Sequence, residues 1–143
     1  MSSRWSGYRA KRRTLHAFLP DGATLLSEIS EGTKILHMVD LDGAKSGKGE
    51  DMKPAFHKDA TIFGYIGNDL FAGPIQKLFD WNDKNGPATE LKTGIANIDV
   101  VGTIATVRLE SDNWTGHKFT DFFTLLKVDG TWKIMNKVFY LHT

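Results

Sequence analysis

The stretch His117-Lys118-Phe119-Thr120-Asp121-Phe122-Phe123-Thr124-Leu125-Leu126 constrains this chain more than any other. It is rich in β-branched and aromatic residues and is followed by the turn pair Asp129-Gly130, the pattern of a β-strand. Side chains alternate along a strand, so His117, Phe119, Asp121, Phe123 and Leu125 share one face. Asp121 therefore stands in an apolar row, with a phenylalanine two residues away on either side. An ionised, unpartnered carboxylate there costs several kcal/mol. It has to be paired, exposed, or held protonated by a raised pKa.

Turn signals divide the rest of the chain. Residues 1–20 end in Leu19-Pro20-Asp21-Gly22 and show no sustained period. A helix is expected over about Thr24–Lys45, with Leu25, Ile29, Leu36, Val39 and Gly43 near one face. Gly43–Gly49 is a loop, and its glycines and lysines lack the spacing of a phosphate loop. A short helical turn over Glu50–Phe56 precedes a strand over Ala60–Ile66 and a short return strand over Asp69–Ala72. Gly73-Pro74 is expected to open a second helix that stops by Asn85-Gly86-Pro87. Four strands follow: 90–100, 103–113, the central stretch and 131–142. Helices first and a meander of strands afterwards argue an α+β fold, with helices on one face of the sheet.

The totals agree with one domain. The chain has 143 residues, 41% hydrophobic and 24% charged, enough to bury a core. The expected division is a basic extension over 1–22 and a single domain over 23–143. Arg4, Arg9, Lys11, Arg12 and Arg13 supply five positive charges near the start. Setting these five against the formal net charge of +1 leaves −4 for the remainder, so the body carries no basic footprint for nucleic acid. No apolar run approaches the roughly 20 residues of a membrane span. The absence of cysteine excludes thiolate chemistry and fits a reducing, cytoplasmic setting.

Alternation sorts the last three strands into two faces. One holds Ala105, Val107, Leu109, Ser111 and Asn113; His117 to Leu125 as above; and Trp132, Ile134, Asn136, Val138, Tyr140 and His142. It is mainly apolar, with polar groups gathered at one end, which suits a concave small-molecule pocket. The other face holds Lys118, Thr120, Phe122, Thr124 and Leu126, then Lys133, Met135, Lys137, Phe139 and Leu141. It is too apolar for a fully wet face, and a sheet-to-sheet homodimer would cover it. Scattered apolar residues on a half-exposed sheet are the alternative.

Several segments resemble the nuclear transport factor 2-like superfamily, and within it the SnoaL-like, "putative lumazine-binding" branch. They are Asp42-Gly43-Ala44-Lys45-Ser46-Gly47, Met52–Thr61, Ile98–Gly102, Asn113-Trp114-Thr115-Gly116-His117, Thr120-Asp121-Phe122-Phe123 and Asp129–Ile134. The combination Trp-x-Gly-His followed by Thr-Asp-Phe-Phe is the most specific to this branch. The resemblance spans about Ile35 to His142 and implies a cone-shaped cystatin-like fold, N-terminal helices packed on a strongly curved, mainly antiparallel sheet. It also implies a pocket, used across the superfamily for isomerisation, cyclisation and dehydration without a cofactor. In ketosteroid isomerase a protonated Asp on the corresponding strand donates to the developing oxyanion. Asp121 matches it through Asp121-Phe122-Phe123. The positions of that enzyme's oxyanion tyrosine and catalytic base fall roughly on Asp40 and Gly64, so its machinery is not kept.

The candidate residues follow. Asp121 is either a general acid or oxyanion donor, or a carboxyl hydrogen-bonded to Tyr140, Asn136 or backbone that fixes the sheet. Asp40 either shares the cavity, which would push one carboxyl's pKa upward, or is a solvated Asp near a helix end. His117 lies about 13 Å along the strand from Asp121, so the two meet only through a shared substrate. With Tyr140 it would orient or donate; otherwise it is a rim histidine. Trp114, Phe119, Phe123 and Asn136 are expected to hold a small apolar or aromatic ligand, with packed core the alternative for the tryptophan. The five histidines are scattered without ligand spacing, and no metal site is expected. A catalytic pocket and a non-catalytic dimeric binding module both remain open.

Overall fold

The computed structural model describes residues 34–35 and 42–143. Its centre is a six-stranded sheet in the order β2-β1-β6-β5-β4-β3. The strands are β1 (Phe56–Ile66), β2 (Asp69–Pro74), β3 (Lys92–Val101), β4 (Ile104–Trp114), β5 (His117–Val128) and β6 (Thr131–His142). Only β1 and β6 run parallel; the other neighbours are antiparallel. The parallel pair follows from chain order, because everything between Gly67 and Gly130 crosses from one side of β1 to the other. The α+β architecture expected from the sequence is therefore present.

Helix α1 spans Gln76–Asn85. It begins later than Gly73-Pro74 suggests, because Pro74 still pairs with Thr61 at the end of β2. Ile75 is the residue before the helix, and its N–H donates to the Ala60 carbonyl at 2.9 Å. The helix ends at Gly86, whose φ of 78° is open to glycine at little cost. Leu78, Phe79 and Asn82 form its buried face. Asn82 Nδ2 donates to the Gly43 carbonyl at 2.8 Å, and Asp83 Oδ1 accepts from the Gly49 N–H at 2.6 Å. Gly47 has φ 73°, and a Cβ there would lie 2.4 Å from the Pro87 nitrogen. The segment expected as a Gly-Lys loop is helical over 42–46, and its backbone is held against α1 by these bonds. The expected helix over Thr24–Lys45 and the extension over 1–22 lie largely outside the described residues, as does Asp40.

The inward face of the sheet carries the core: Val107, Leu109, Phe123, Leu125, Trp132 and Ile134 are all buried, against Met52, Phe56, Ile62 and Leu78. Two interruptions of the ladder change which side chains reach this face. The β4–β5 register shifts between Ser111 and Trp114, with Asn113 at φ 64°. Asparagine tolerates this left-handed conformation better than most residues. One residue is taken up by the shift, so Asn113 is exposed and Trp114 turns inward. The second shift lies between Thr124 and Leu125, which pair with Asn136 and Ile134, leaving Met135 as the extra residue of β6. Beyond it the parity of β6 reverses. Lys137 and Phe139 are buried, while Val138 and Tyr140 are exposed.

This reversal corrects the sequence-based assignment of β6. Tyr140 is 62% exposed on the outer face. There Tyr140 meets His142 edge-on at 4.9 Å, and His142 Nε2 lies 2.9 Å from Thr120 Oγ1. Asn136 is only half-buried and donates to Thr61 Oγ1 at 2.9 Å. None of the three partners Asp121.

Candidate functional site

Asp121 is 0% exposed on the inner face of β5. Its direct neighbours in the ladder are Leu109 and Phe139, and neither offers a polar side chain. Lys137, which pairs with Phe123 two residues along, is the diagonal neighbour. Lys137 is 4% exposed, and its Nζ lies 3.6 Å from Asp121 Oδ1. That is an ion-pair distance slightly beyond ordinary hydrogen-bond length. No hydrogen-bond partner for either Asp121 oxygen is found among the described residues. Burial pushes the Asp121 carboxyl above its ordinary value; the Lys137 charge opposes this, and Glu110 adds slightly to the rise. Asp121 is neither exposed nor bonded to the sheet backbone. It stands paired to a buried lysine that alternation placed on the other face.

The ammonium of Lys137 also lies 5.0 Å from the Trp114 ring centroid and 5.7 Å from that of Phe123. Both distances are within cation–π reach. Trp114 Nε1 and Ser111 Oγ are buried without a hydrogen-bond partner among the described residues. Ser111 pairs with Phe119, so it too is a diagonal neighbour of Asp121.

A cavity of about 30 Å³ opens beside this group. By the measure of one probe sphere per water it takes roughly two water molecules. Five aromatic side chains line it, Phe71, Trp81, Trp114, Phe119 and Phe139, with three aliphatic ones. Among the described lining residues Lys137 is the one with a charged side chain. Asp121 does not itself line the cavity; it stands behind Lys137. The aromatic wall is continuous: Phe119 meets Trp81, Trp114 and Phe139 edge-on at 5.9 to 6.1 Å. Gly64 pairs with Phe139, and a Cβ at Gly64 would come within 2.5 Å of the Phe139 ring. The ring occupies the space a larger side chain would need.

Trp114 and Phe119 thus stand where the sequence suggested, and Phe123 is buried beside Lys137. His117 is half-buried at the rim, its ring 5.9 Å from Trp81 and its Nδ1 3.0 Å from the Trp114 carbonyl. Alternation missed Lys137, while Trp81, a candidate in the sequence for stacking on an aromatic ligand, lies on α1 and lines the cavity. A signal for Lys137 was available, since the apolar positions of β6 change parity between Trp132-x-Ile134 and Phe139-x-Leu141. That change marks a bulge. Among the described residues no cluster of three His, Cys, Asp or Glu side chains could hold a metal ion. No described helix is long and apolar enough to cross a membrane.

Residues 31–140 match the model of the family described as "Putative lumazine-binding". The chain belongs to this family. A curated relative, the aldolase FrzH of a Cladobotryum species, is 31% identical over 101 residues, covering 70% of this chain and 81% of that protein. A nuclear transport factor 2-like protein of unknown function from Methylobacillus flagellatus is 53% identical, with a TM-score of 0.79 over 82% of this chain and 94% of that one. A similar protein from Shewanella baltica, also of unknown function, is 42% identical, with a TM-score of 0.78 over 82% and 96%. More distant neighbours with cystatin-like folds share the architecture alone. The family places this chain in the fold that the Trp-x-Gly-His and Thr-Asp-Phe-Phe segments resemble. A shared fold does not by itself carry a shared reaction.

Proposed function

We propose that this protein binds a small, largely apolar, cyclic carbonyl-bearing compound, its carbonyl end in the aromatic cavity, whose enclosed space of about 30 Å³ takes no more than that, and its ring at the mouth. There it would act by proton transfer, as a cofactor-independent isomerase, cyclase or dehydratase. One observation carries the reading: a buried lysine is the one charged side chain among the described residues of the cavity wall, and a buried carboxyl stands 3.6 Å behind it. Lys137 would meet the ligand's oxygen and stabilise negative charge developing there, in a dry site where such a charge counts for most. Asp121, its carboxyl pushed upward by burial, would hold or return the proton by way of the Lys137 amine that stands between it and the cavity. Lys137 takes the role that alternation had given to Tyr140 and His117. Trp81, Trp114 and Phe119 would grip the ring of the ligand. A relative named as an aldolase supports the same class, because aldol chemistry also starts from proton removal beside a carbonyl.

Solvent-deuterium exchange into the α-carbon of cyclohexanone and other small cyclic ketones tests this. The wild type should accelerate exchange, and Asp121→Asn should lose about 100-fold or more, the scale of an acid–base contribution. An equal rate in the variant would remove Asp121 from the chemistry.

A second reading rests on the outer face. Phe63, Val138 and Phe122 lie in one register row across β1, β6 and β5, with Tyr65 and Tyr140 in the next. All five are exposed. This apolar row suits a second copy of the chain, with the cavity serving only to bind.

A further inference from the structure

The arrangement around Lys137 carries the proposed function one step further and rests on that reading of the cavity. We infer that Lys137 is a covalent nucleophile, forming an imine with the carbonyl carbon of an aldehyde or ketone held in the aromatic cavity. Three observations lead there. The side chain is 4% exposed, so its amine is shielded from bulk water except through the cavity it lines. Its carboxyl neighbour lies at 3.6 Å without a further hydrogen bond among the described residues, a poor geometry for a buried ion pair. Among the described residues the amine also lies over the rings of Trp114 and Phe123, at 5.0 and 5.7 Å, and these offer it no conventional acceptor. The Asp121 carboxylate, 3.6 Å away, is the group placed to take a proton from Nζ when a carbonyl compound enters and so to free its lone pair for attack. Desolvated lysines serve as Schiff-base nucleophiles.

The step balances without an added oxidant or reductant. The Nζ lone pair attacks the carbonyl carbon and a C–N bond forms. The carbonyl π pair moves to oxygen, which takes up the proton that nitrogen loses. The Asp121 carboxyl then protonates that hydroxyl, the C–O bond breaks, and water leaves. The nitrogen lone pair closes the C=N bond, giving an iminium beside the Asp121 carboxylate. The iminium keeps the positive charge where the ammonium stood and draws electrons from the adjacent carbon. That would acidify the neighbouring C–H far more than a hydrogen bond to the carbonyl does.

Borohydride reduction in the presence of acetone or cyclohexanone tests this on the wild-type chain. Digestion and mass spectrometry should find Lys137 carrying the probe mass less one oxygen. The exposed Lys58 and Lys118 should stay unmodified at the same probe concentration. Asp121→Asn should slow trapping at Lys137 by about 100-fold, the size of a general-acid contribution. Lys137→Arg, which keeps the charge, should give no adduct at that position. Absence of an adduct at Lys137, or equal labelling of the exposed lysines, overturns the inference. Deuterium exchange without an adduct would leave the proton-transfer reading standing and discard the imine; neither exchange nor adduct would end both.

Discussion

The buried pair Asp121–Lys137 makes a quantitative prediction about stability. Two unit charges 3.6 Å apart attract by about 4–5 kcal/mol at the effective dielectric of about 20 that suits such sites. Lys137→Met removes that attraction and leaves a fully buried carboxyl among Leu109, Phe123 and Phe139. The expected loss is about 3–5 kcal/mol at neutral pH, the cost of stranding one member of a buried pair. For a chain of this size that lowers Tm by about 10–20 °C. Asp121→Leu strands the ammonium instead and should cost a similar amount. The double variant Asp121→Leu/Lys137→Met restores an uncharged interior. It should equal the wild type or exceed it by about 1–4 kcal/mol, as replacements of buried ion pairs by apolar groups often do. Urea unfolding followed by tryptophan fluorescence measures all four proteins, provided that the m-values agree. Single losses within about 1 kcal/mol that simply add in the double variant would mean a pair as weak as an exposed one. The assignment of a dry, coupled pair would then be wrong.

Further outcomes follow from the same structure. Because burial raises the Asp121 pKa, the native state holds more protons than the unfolded one between the ordinary value of 3.8 and its folded value. Stability from this group therefore falls as pH rises through that window. Lys137 from β6 and Glu110 from β4 are the charges acting on it, and Lys137→Met should widen the window, as pH-resolved denaturation will show. Gly64→Ala puts a methyl into the Phe139 ring and should cost about 1–3 kcal/mol while reshaping the cavity wall, measurable as altered ligand affinity by calorimetry. If the outer face pairs with a second copy, Phe122→Lys combined with Val138→Lys should convert a species of twice the chain mass in sedimentation to a single chain. An unchanged mass would place the contact elsewhere.

The strands were legible because period-two alternation is a local property. Each of β3 to β6 could be read from its own residues and the turn at its end, and α1 from the stop at Gly86. The start of α1 was not, because Pro74 is held in β2 by its pairing with Thr61, a contact formed only when β1 and β2 come together. The candidate site divides in the same way. Asp121, Phe119 and Phe123 lie on β5, whose inward residues keep one parity through the whole strand. Trp114 and Lys137 each lie beyond a register shift, and counting by twos put Lys137 on the outer face and Tyr140 on the inner one, the reverse of where the folded sheet holds them.

The residue order alone therefore determined that a carboxyl would stand in an apolar row of a sheet and would need a partner. It also determined the α+β class and put Trp114 and Phe119 at the pocket, whereas Phe139, which alternation set on the outer face, reached the wall only through the register shift in β6. Which group would answer that carboxyl was decided only when the strands met. A single extra residue at Met135 turns the rest of β6 over, and whether a ladder accommodates an extra residue depends on the neighbour it pairs with. Facing is a property of the pair of strands, and no one strand's sequence contains it.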